Sequence, residues 1–154
     1  LCNTYFPSGT TGEVRQKFKY RFLDDFTAFI QSLPSRDSER LIICGDLNIC
    51  HKEIDIHHPK EAEKRQLSGF LPDERNWFDG FIDAGFVDSF RLIHGPVKDR
   101  YSWWSYRAGS RARNLGWRID YIIVSKKLAA RVRDAAILPE VKGSDHCPVS
   151  VILR

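Results

Sequence analysis

The chain has 154 residues, 42% of them hydrophobic and 29% charged, the proportions of a globular domain able to bury a core rather than of a disordered or fibrous chain. No apolar run reaches the ~20 residues that a bilayer span needs and no signal-peptide pattern is present, so a membrane role is set aside and a cytoplasmic setting is expected. The formal net charge of +4, from 24 Lys and Arg against 20 Asp and Glu, is too mild to announce a polyanion partner by itself.

In chain order, Leu1-Cys2-Asn3-Thr4-Tyr5-Phe6 reads as a strand already in progress, and the sequence contains no Met, so a piece of a longer protein is expected. Phe18, Phe22, Phe26, Phe29, Ile30 and Leu33 recur at steps of three and four, predicting an amphipathic helix over 14–33 that Pro34 ends. The apolar run 40–44, closed by Gly45, predicts a strand covered on both faces, with Asp46-Leu47-Asn48 delivered at its end. Pro72, Asp73 and Glu74 start a short second helix, which buries Trp77, Phe78, Phe81 and Ile82 and stops at Gly85. Strands are predicted over 101–106, 119–125, 136–138 and 149–153, with a helix or loop over 126–133. No repeat interrupts this order, and helices and strands alternate without a regular βαβ rhythm. The expected class is α/β, a layered sandwich in preference to a doubly wound sheet.

Two further patterns bear on chemistry. Cys2, Cys44, Cys50 and Cys147 have no CxxC spacing and are expected to be reduced, partly buried thiols. Basic residues gather at Lys17, Lys19 and Arg21, at Lys60, Lys64 and Arg65, and at Arg107, Arg111, Arg113 and Arg118, the last group interleaved with aromatics.

Three segments concentrate polar groups at strand ends: Gly45-Asp46-Leu47-Asn48, Gly116-Trp117-Arg118-Ile119-Asp120-Tyr121 and Gly143-Ser144-Asp145-His146-Cys147-Pro148. Residues two apart on an extended chain point the same way, so Asp46 and Asn48 can address one atom together. His146 is a natural acid or base near neutral pH, and Asp120 is the candidate carboxylate behind it. Taken singly, each is more often a turn, cap or satisfied polar residue.

In this order, and with Asn3-Thr4-Tyr5-Phe6-Pro7 ahead of them, these segments resemble the carboxyl-terminal part of the exonuclease III / class II abasic-site endonuclease family, within the endonuclease/exonuclease/phosphatase superfamily. Ser102-Trp103-Trp104-Ser105-Tyr106-Arg107 and Asn114-Leu115-Gly116-Trp117-Arg118 narrow the likeness to its DNA-handling members, and the resemblance runs from Leu1 to Arg154. It implies a DNase I-like four-layered α/β sandwich, here without its amino-terminal strands, in one domain of which 1–154 is the carboxyl-terminal part. It implies phosphodiester hydrolysis on DNA with Mg²⁺ or Mn²⁺, as an exonuclease or abasic-site endonuclease in base excision repair, by a monomer acting on duplexes with abasic sites or 3′ ends.

By the same resemblance Tyr5, Asp46, Asn48, Asp120 and His146 are catalytic, and Tyr5 and Asn48 contact phosphate. Asp46, Asn48 and Asp145 are metal ligands. Trp103, Arg107, Trp117, Arg118 and Ile119 bind DNA, with Trp103, Trp117 and Ile119 forming an apolar pocket for an extrahelical sugar. The family's WN-type Asn and QE-type Glu have no counterpart here, so the chain alone is expected to be inactive. The rival readings are a phosphoinositide or sphingomyelin phosphodiesterase of the same superfamily and a non-catalytic DNA-binding relative.

Overall fold

The computed structural model describes residues 1–154. Its strands are β1 (Cys2–Tyr5), β2 (Ile42–Asp46), β3 (Phe86–Asp88), β4 (Asp120–Ser125), β5 (Val132–Ile137) and β6 (Val149–Leu153). Its α-helices are α1 (Glu13–Ser32), α2 (Ser35–Ser38), α3 (Pro59–Lys64), α4 (Pro72–Asp83), α5 (Ser89–His94) and α6 (Lys126–Ala129). They form a four-stranded sheet in the order β1-β2-β4-β3 and a two-stranded sheet of β5 and β6. The α/β class and the DNase I-like layered arrangement hold, with α5 packed against strands of both sheets.

β1 and β2 are parallel because α1 carries the chain back between them, and the remaining pairs of the larger sheet are antiparallel. The register sets Tyr5 beside Asp46 and Asp46 beside Asp120. Three candidate residues thus form a row across one end of the sheet. Gly45 makes the approach possible: its φ is +137°, and a Cβ there would stand 1.8 Å from the Thr4 carbonyl oxygen.

The main core lies under α1 and α4. Phe6, Leu23, Phe26, Ile30, Ile43, Phe78, Phe81, Tyr121 and Ile123 all belong to it, each large apolar side chain contributing roughly 1.5–3 kcal/mol on burial. Phe6 meets Phe22 and Phe26 edge-on at 5.0 and 4.9 Å, while Phe81 stacks on Phe86 at 4.6 Å. On β4, Tyr121 and Ile123 face this core; the alternate residues Asp120 and Ile122 border a small cavity with Ala136, Ile137, Val149 and Ser150 of the second sheet.

Several expectations change. The helix is where its periodicity put it, but its buried stripe is Lys19, Leu23, Phe26 and Ile30, leaving Phe18 and Phe29 at 42% and 50% exposure. Residues 101–106 form no strand. They are held by single bridges from Trp103 to Trp117 and to His146, and Trp104 turns inward to 2% exposure. β2 is half-covered on the face carrying Ile42 and Cys44 rather than buried on both. β3 and α5 had no legible signal, being only a few residues long each. All four cysteines are free thiols, Cys50 and Cys147 buried and the other two partly so. No helix is long and apolar enough to cross a membrane.

Candidate active site

β2 ends in a turn that its own side chains close. The Asp46 Oδ1 accepts the backbone N–H of Asn48 at 2.8 Å, an Asx-type turn, and Asn48 sits at φ 51°, a left-handed conformation that Asn tolerates better than most residues. The Asn48 amide then donates to Asp46 Oδ2 at 2.9 Å and to the Phe6 carbonyl at 2.9 Å. Both amide hydrogens are therefore engaged. The expected role of Asn48 as a phosphate donor is not available in this arrangement; it locks Asp46 in place and leaves Oδ1 as an acceptor.

Behind the turn stands a feature that sequence reasoning missed. Lys19, fully buried, donates to the Asn48 carbonyl at 2.8 Å and to Glu74 Oε1 at 2.6 Å. Glu74, equally buried, also accepts from the backbone N–H groups of Gly69 and Leu71. A Lys at helical spacing with Leu23, Phe26 and Ile30 was the available signal, since a charge on an apolar stripe needs a buried partner.

Asp120 lies across from Asp46 on β4, and its backbone N–H and that of Ile119 both donate to the buried Ser102 hydroxyl, at 3.0 and 3.1 Å. Its Oδ2 is 2.9 Å from His146 Nδ1, the geometry of an imidazole N–H donating to a carboxylate. That bond raises the His146 pKa above its ordinary value against the opposing effect of burial, so Nδ1 keeps its proton and Nε2 remains available to substrate. At Asp46 burial dominates and lifts the carboxyl to about 6; the neighbouring Asp120 charge adds to this, while the Asn48 N–H, His146 and Lys19 oppose it. A carboxyl so placed can take up and return a proton near neutrality.

These groups line one cleft of about 740 Å³. Tyr5, Asp46, Asn48 and His146 contribute polar groups, Trp103, Trp117 and Ile119 an apolar wall, and Ser8, Thr10, Gln16 and Ser68 a facing polar one. Trp103 and Trp117 meet edge to face at 5.9 Å. Gly69 fits between: a Cβ there would come within 2.9 Å of the Trp117 ring and 3.1 Å of the Asn48 carbonyl oxygen.

Four of the sequence-predicted site residues do not line this cleft: Asp120, which reaches it only through His146, and Arg118, Asp145 and Arg107. Arg118 is 1% exposed, with Nε 2.7 Å from Asp55 Oδ1 and Nη1 2.7 Å from Asp88 Oδ2. It therefore holds the fold rather than facing DNA, because alternation puts it on the side opposite Trp117. Asp145 does not join Asp46 and Asn48. It accepts the Trp103 indole N–H at 2.9 Å; burial would raise its carboxyl, but this bond and the His146 charge keep it below the usual range. Arg107 is exposed in the turn after Tyr106 and does not line the cleft.

The expected metal set of Asp46, Asn48 and Asp145 is thus not assembled, and no three His, Cys, Asp or Glu side chains are grouped to hold a metal ion. Asp46 and the Asn48 Oδ1 are hard oxygen donors of the kind Mg²⁺ or Mn²⁺ accepts, but they are fewer than such an ion needs. Both Asp46 oxygens, moreover, already accept from Asn48.

The sequence profile of the Endonuclease/Exonuclease/phosphatase family matches residues 18–146. The chain belongs to this family. Among curated family members, the exodeoxyribonuclease of Bacillus subtilis is 44% identical over 100% of this chain and 60% of its own length. DNA repair nuclease APEX1 of Danio rerio is 38% identical over 99% of this chain and 48% of its own length. Among solved structures, the 3′ phosphatase NExo from Neisseria bound to product DNA hairpin superposes with a TM-score of 0.88 at 30% identity, covering 99% of this chain and 60% of that one. The AP endonuclease from Archaeoglobus fulgidus gives 0.83 at 30% identity, covering 98% and 60%. The chain therefore spans between 48% and 60% of the length of these relatives. Within the family its likeness is to exodeoxyribonucleases and abasic-site endonucleases.

Proposed function

We propose that this chain carries the hydrolytic residues of a DNA phosphodiesterase that cuts beside abasic sites or works at 3′ ends in base excision repair. The observation that carries this reading is the Asp120–His146 hydrogen bond at one lip of a cleft that also holds the locked Asp46 carboxylate and two tryptophans. The names of the relatives support the same substrate.

In this reading an attacking water is held by Asp46 and the Asn48 Oδ1 in line with the leaving 3′ oxygen. Asp46 takes its proton as the new P–O bond forms, the P–O bond to the 3′ oxygen breaks, and that oxygen takes a proton from solvent. His146, kept protonated through Asp120, donates from Nε2 to a non-bridging phosphoryl oxygen, where negative charge grows in the transition state. The exposed Tyr5 hydroxyl, in register beside Asp46, is a second donor to the phosphate. Trp103, Trp117 and Ile119 offer an apolar recess that a base-less sugar can enter and a hydrated, charged headgroup would not favour. Asp145 keeps the Trp103 ring in orientation, and the exposed Arg107 is a candidate contact for a backbone phosphate outside the cleft.

A divalent cation, with Mg²⁺ or Mn²⁺ suited to oxygen donors, belongs to the same proposal and would supply charge neutralisation at the phosphate. A monomer acting in the cytoplasm completes it. The reading is tested by offering the full-length protein a duplex with one abasic site, a duplex with recessed 3′ ends, a phosphoinositide and sphingomyelin, each with Mg²⁺ and with chelator. Cation-dependent cleavage of the DNA substrates alone is expected. Preferred hydrolysis of either lipid, or DNA binding without cleavage under every condition, would overturn it.

A further inference from the structure

Asp145 and His146 sit in the connection between β5 and β6, residues 138–148. Hairpin connections usually have about 2–5 residues, and one this long needs something to fix its course. The Leu138 N–H closes its base on the Pro148 carbonyl, and beyond that its own bonds are local: Val141 N–H to the Leu138 carbonyl, the Lys142 ammonium to the Pro139 carbonyl, and Ser144 Oγ to its two successors. From Glu140 to Ser144 it is exposed, and Gly143 has φ +118°.

Trp103, Asp120 and the Ser102 carbonyl hold only the arm at 145–147, whereas one side chain from outside the loop reaches both arms. Arg111 Nη1 donates to the carbonyls of Ser144 at 2.7 Å and His146 at 3.5 Å, and Nη2 donates to those of Pro139 at 3.0 Å and Val141 at 2.6 Å. Its guanidinium stacks over the Trp104 ring at 4.7 Å. Trp104 is in turn fixed by its indole bond to Asn114 and by its backbone N–H, which donates to the Asp145 carbonyl. The Nε–H is buried and unpartnered. All four terminal N–H donors of Arg111 are therefore turned inward onto carbonyls, and the fifth, on Nε, is buried, so no solvent-facing donor is left for a phosphate.

From this geometry we infer that Arg111 is a positioning residue: its planar fork gathers both arms of the 138–148 loop and thereby holds the His146 imidazole against Asp120. Its place in the basic, aromatic segment suggests a DNA contact, yet its chemistry is that of a clamp on the chain's own backbone. Lysine could supply the charge but not the four-way fork. The inference rests on the hydrolytic reading above for its consequence in turnover, while the loop's order is an independent property.

Arg111→Lys and Arg111→Ala, made in the full-length protein, test it. Amide hydrogen exchange over 138–148 is expected to accelerate in both, while exchange in the α1 and α4 core stays slow. On a duplex with one abasic site, kcat is expected to fall on the order of 10²-fold, the scale of a small misplacement of a reacting group. Kd and its salt dependence should stay unchanged. Added methylguanidinium, at concentrations far below those that unfold proteins, is expected to restore part of the Arg111→Ala turnover and to do nothing for wild type. Unchanged exchange in the loop would overturn the clamp. So would a loss confined to Kd with the salt slope reduced by ~1, the signature of a lost phosphate contact. If wild type cleaves no DNA, the exchange data alone decide the clamp, and only the hydrolytic reading fails.

Discussion

At the scale of single residues, the site depends on carboxylates whose surroundings push them to different tasks. Asp46 is buried enough to hold its proton up to about 6. Asp120 is bonded to an imidazole, through which it acts in the proposed mechanism. The His146–Asp120 pair also predicts a pH dependence of stability. The folded His146 pKa is raised above its unfolded value, so the pair's contribution is fully present below the unfolded value near 6.5 and is lost as pH rises through the folded one. The difference in unfolding free energy between wild type and Asp120→Asn is therefore expected to be largest between about pH 5 and 6.5 and to shrink above that range, with a size on the order of 1 kcal/mol for a partly exposed pair. Urea titrations at a series of pH values measure it, and a difference that grows with rising pH would contradict the pairing. Ser102 gives a second residue-scale prediction. Ser102→Ala strands the Ile119 and Asp120 N–H groups in a buried site and is expected to cost about 1–3 kcal/mol of stability, with Ser102→Thr restoring most of it; equal melting of the two variants would show that the hydroxyl is not the acceptor.

At the scale of elements, the strand ends do the assembling, and there the sequence was most informative. The segments around Asp46, Asp120 and His146 each follow an apolar run or turn that placed them at a sheet end, and the two-residue step from Asp46 to Asn48 was visible directly. What could not be read was rotation. Phe18, Phe22, Phe26 and Phe29 circle α1 closely enough that the apolar face was ambiguous, and the partner that draws Lys19 inward lies 55 residues away at Glu74. The same limit misplaced Arg118, whose partners Asp55 and Asp88 are distant in the chain, and the expected strand over 101–106, where Trp103 bridges singly to Trp117 and to His146 instead of pairing along one neighbour. The Arg118 correction has a measurable consequence. Arg118→Gln leaves Asp88 and part of Asp55 uncompensated in the interior and is expected to lower stability by roughly 3–5 kcal/mol, while DNA affinity of the folded fraction stays unchanged. Thermal melting together with a binding titration checks this, and weakened binding in a protein of normal stability would restore Arg118 to the DNA surface.

At the scale of the molecule, the larger sheet carries Asp46 and Asp120, the segment leading into β4 carries Trp117, the connection within the second sheet carries His146, and α1 and α4 lock the Asp46 turn from behind. The chemistry arises where these parts meet, which explains why no single segment declares it. The most direct measurement is single-turnover cleavage of a duplex with one abasic site by the full-length protein in Mg²⁺, with wild type compared with Asp46→Asn, and with binding measured in parallel. The substitution keeps shape and hydrogen-bonding capacity but removes the proton acceptor, so the rate is expected to fall by about 10²–10⁴-fold with Kd nearly unchanged. Equal losses in rate and binding, or turnover that survives the substitution, would contradict the assignment of Asp46 as the group that takes the water's proton.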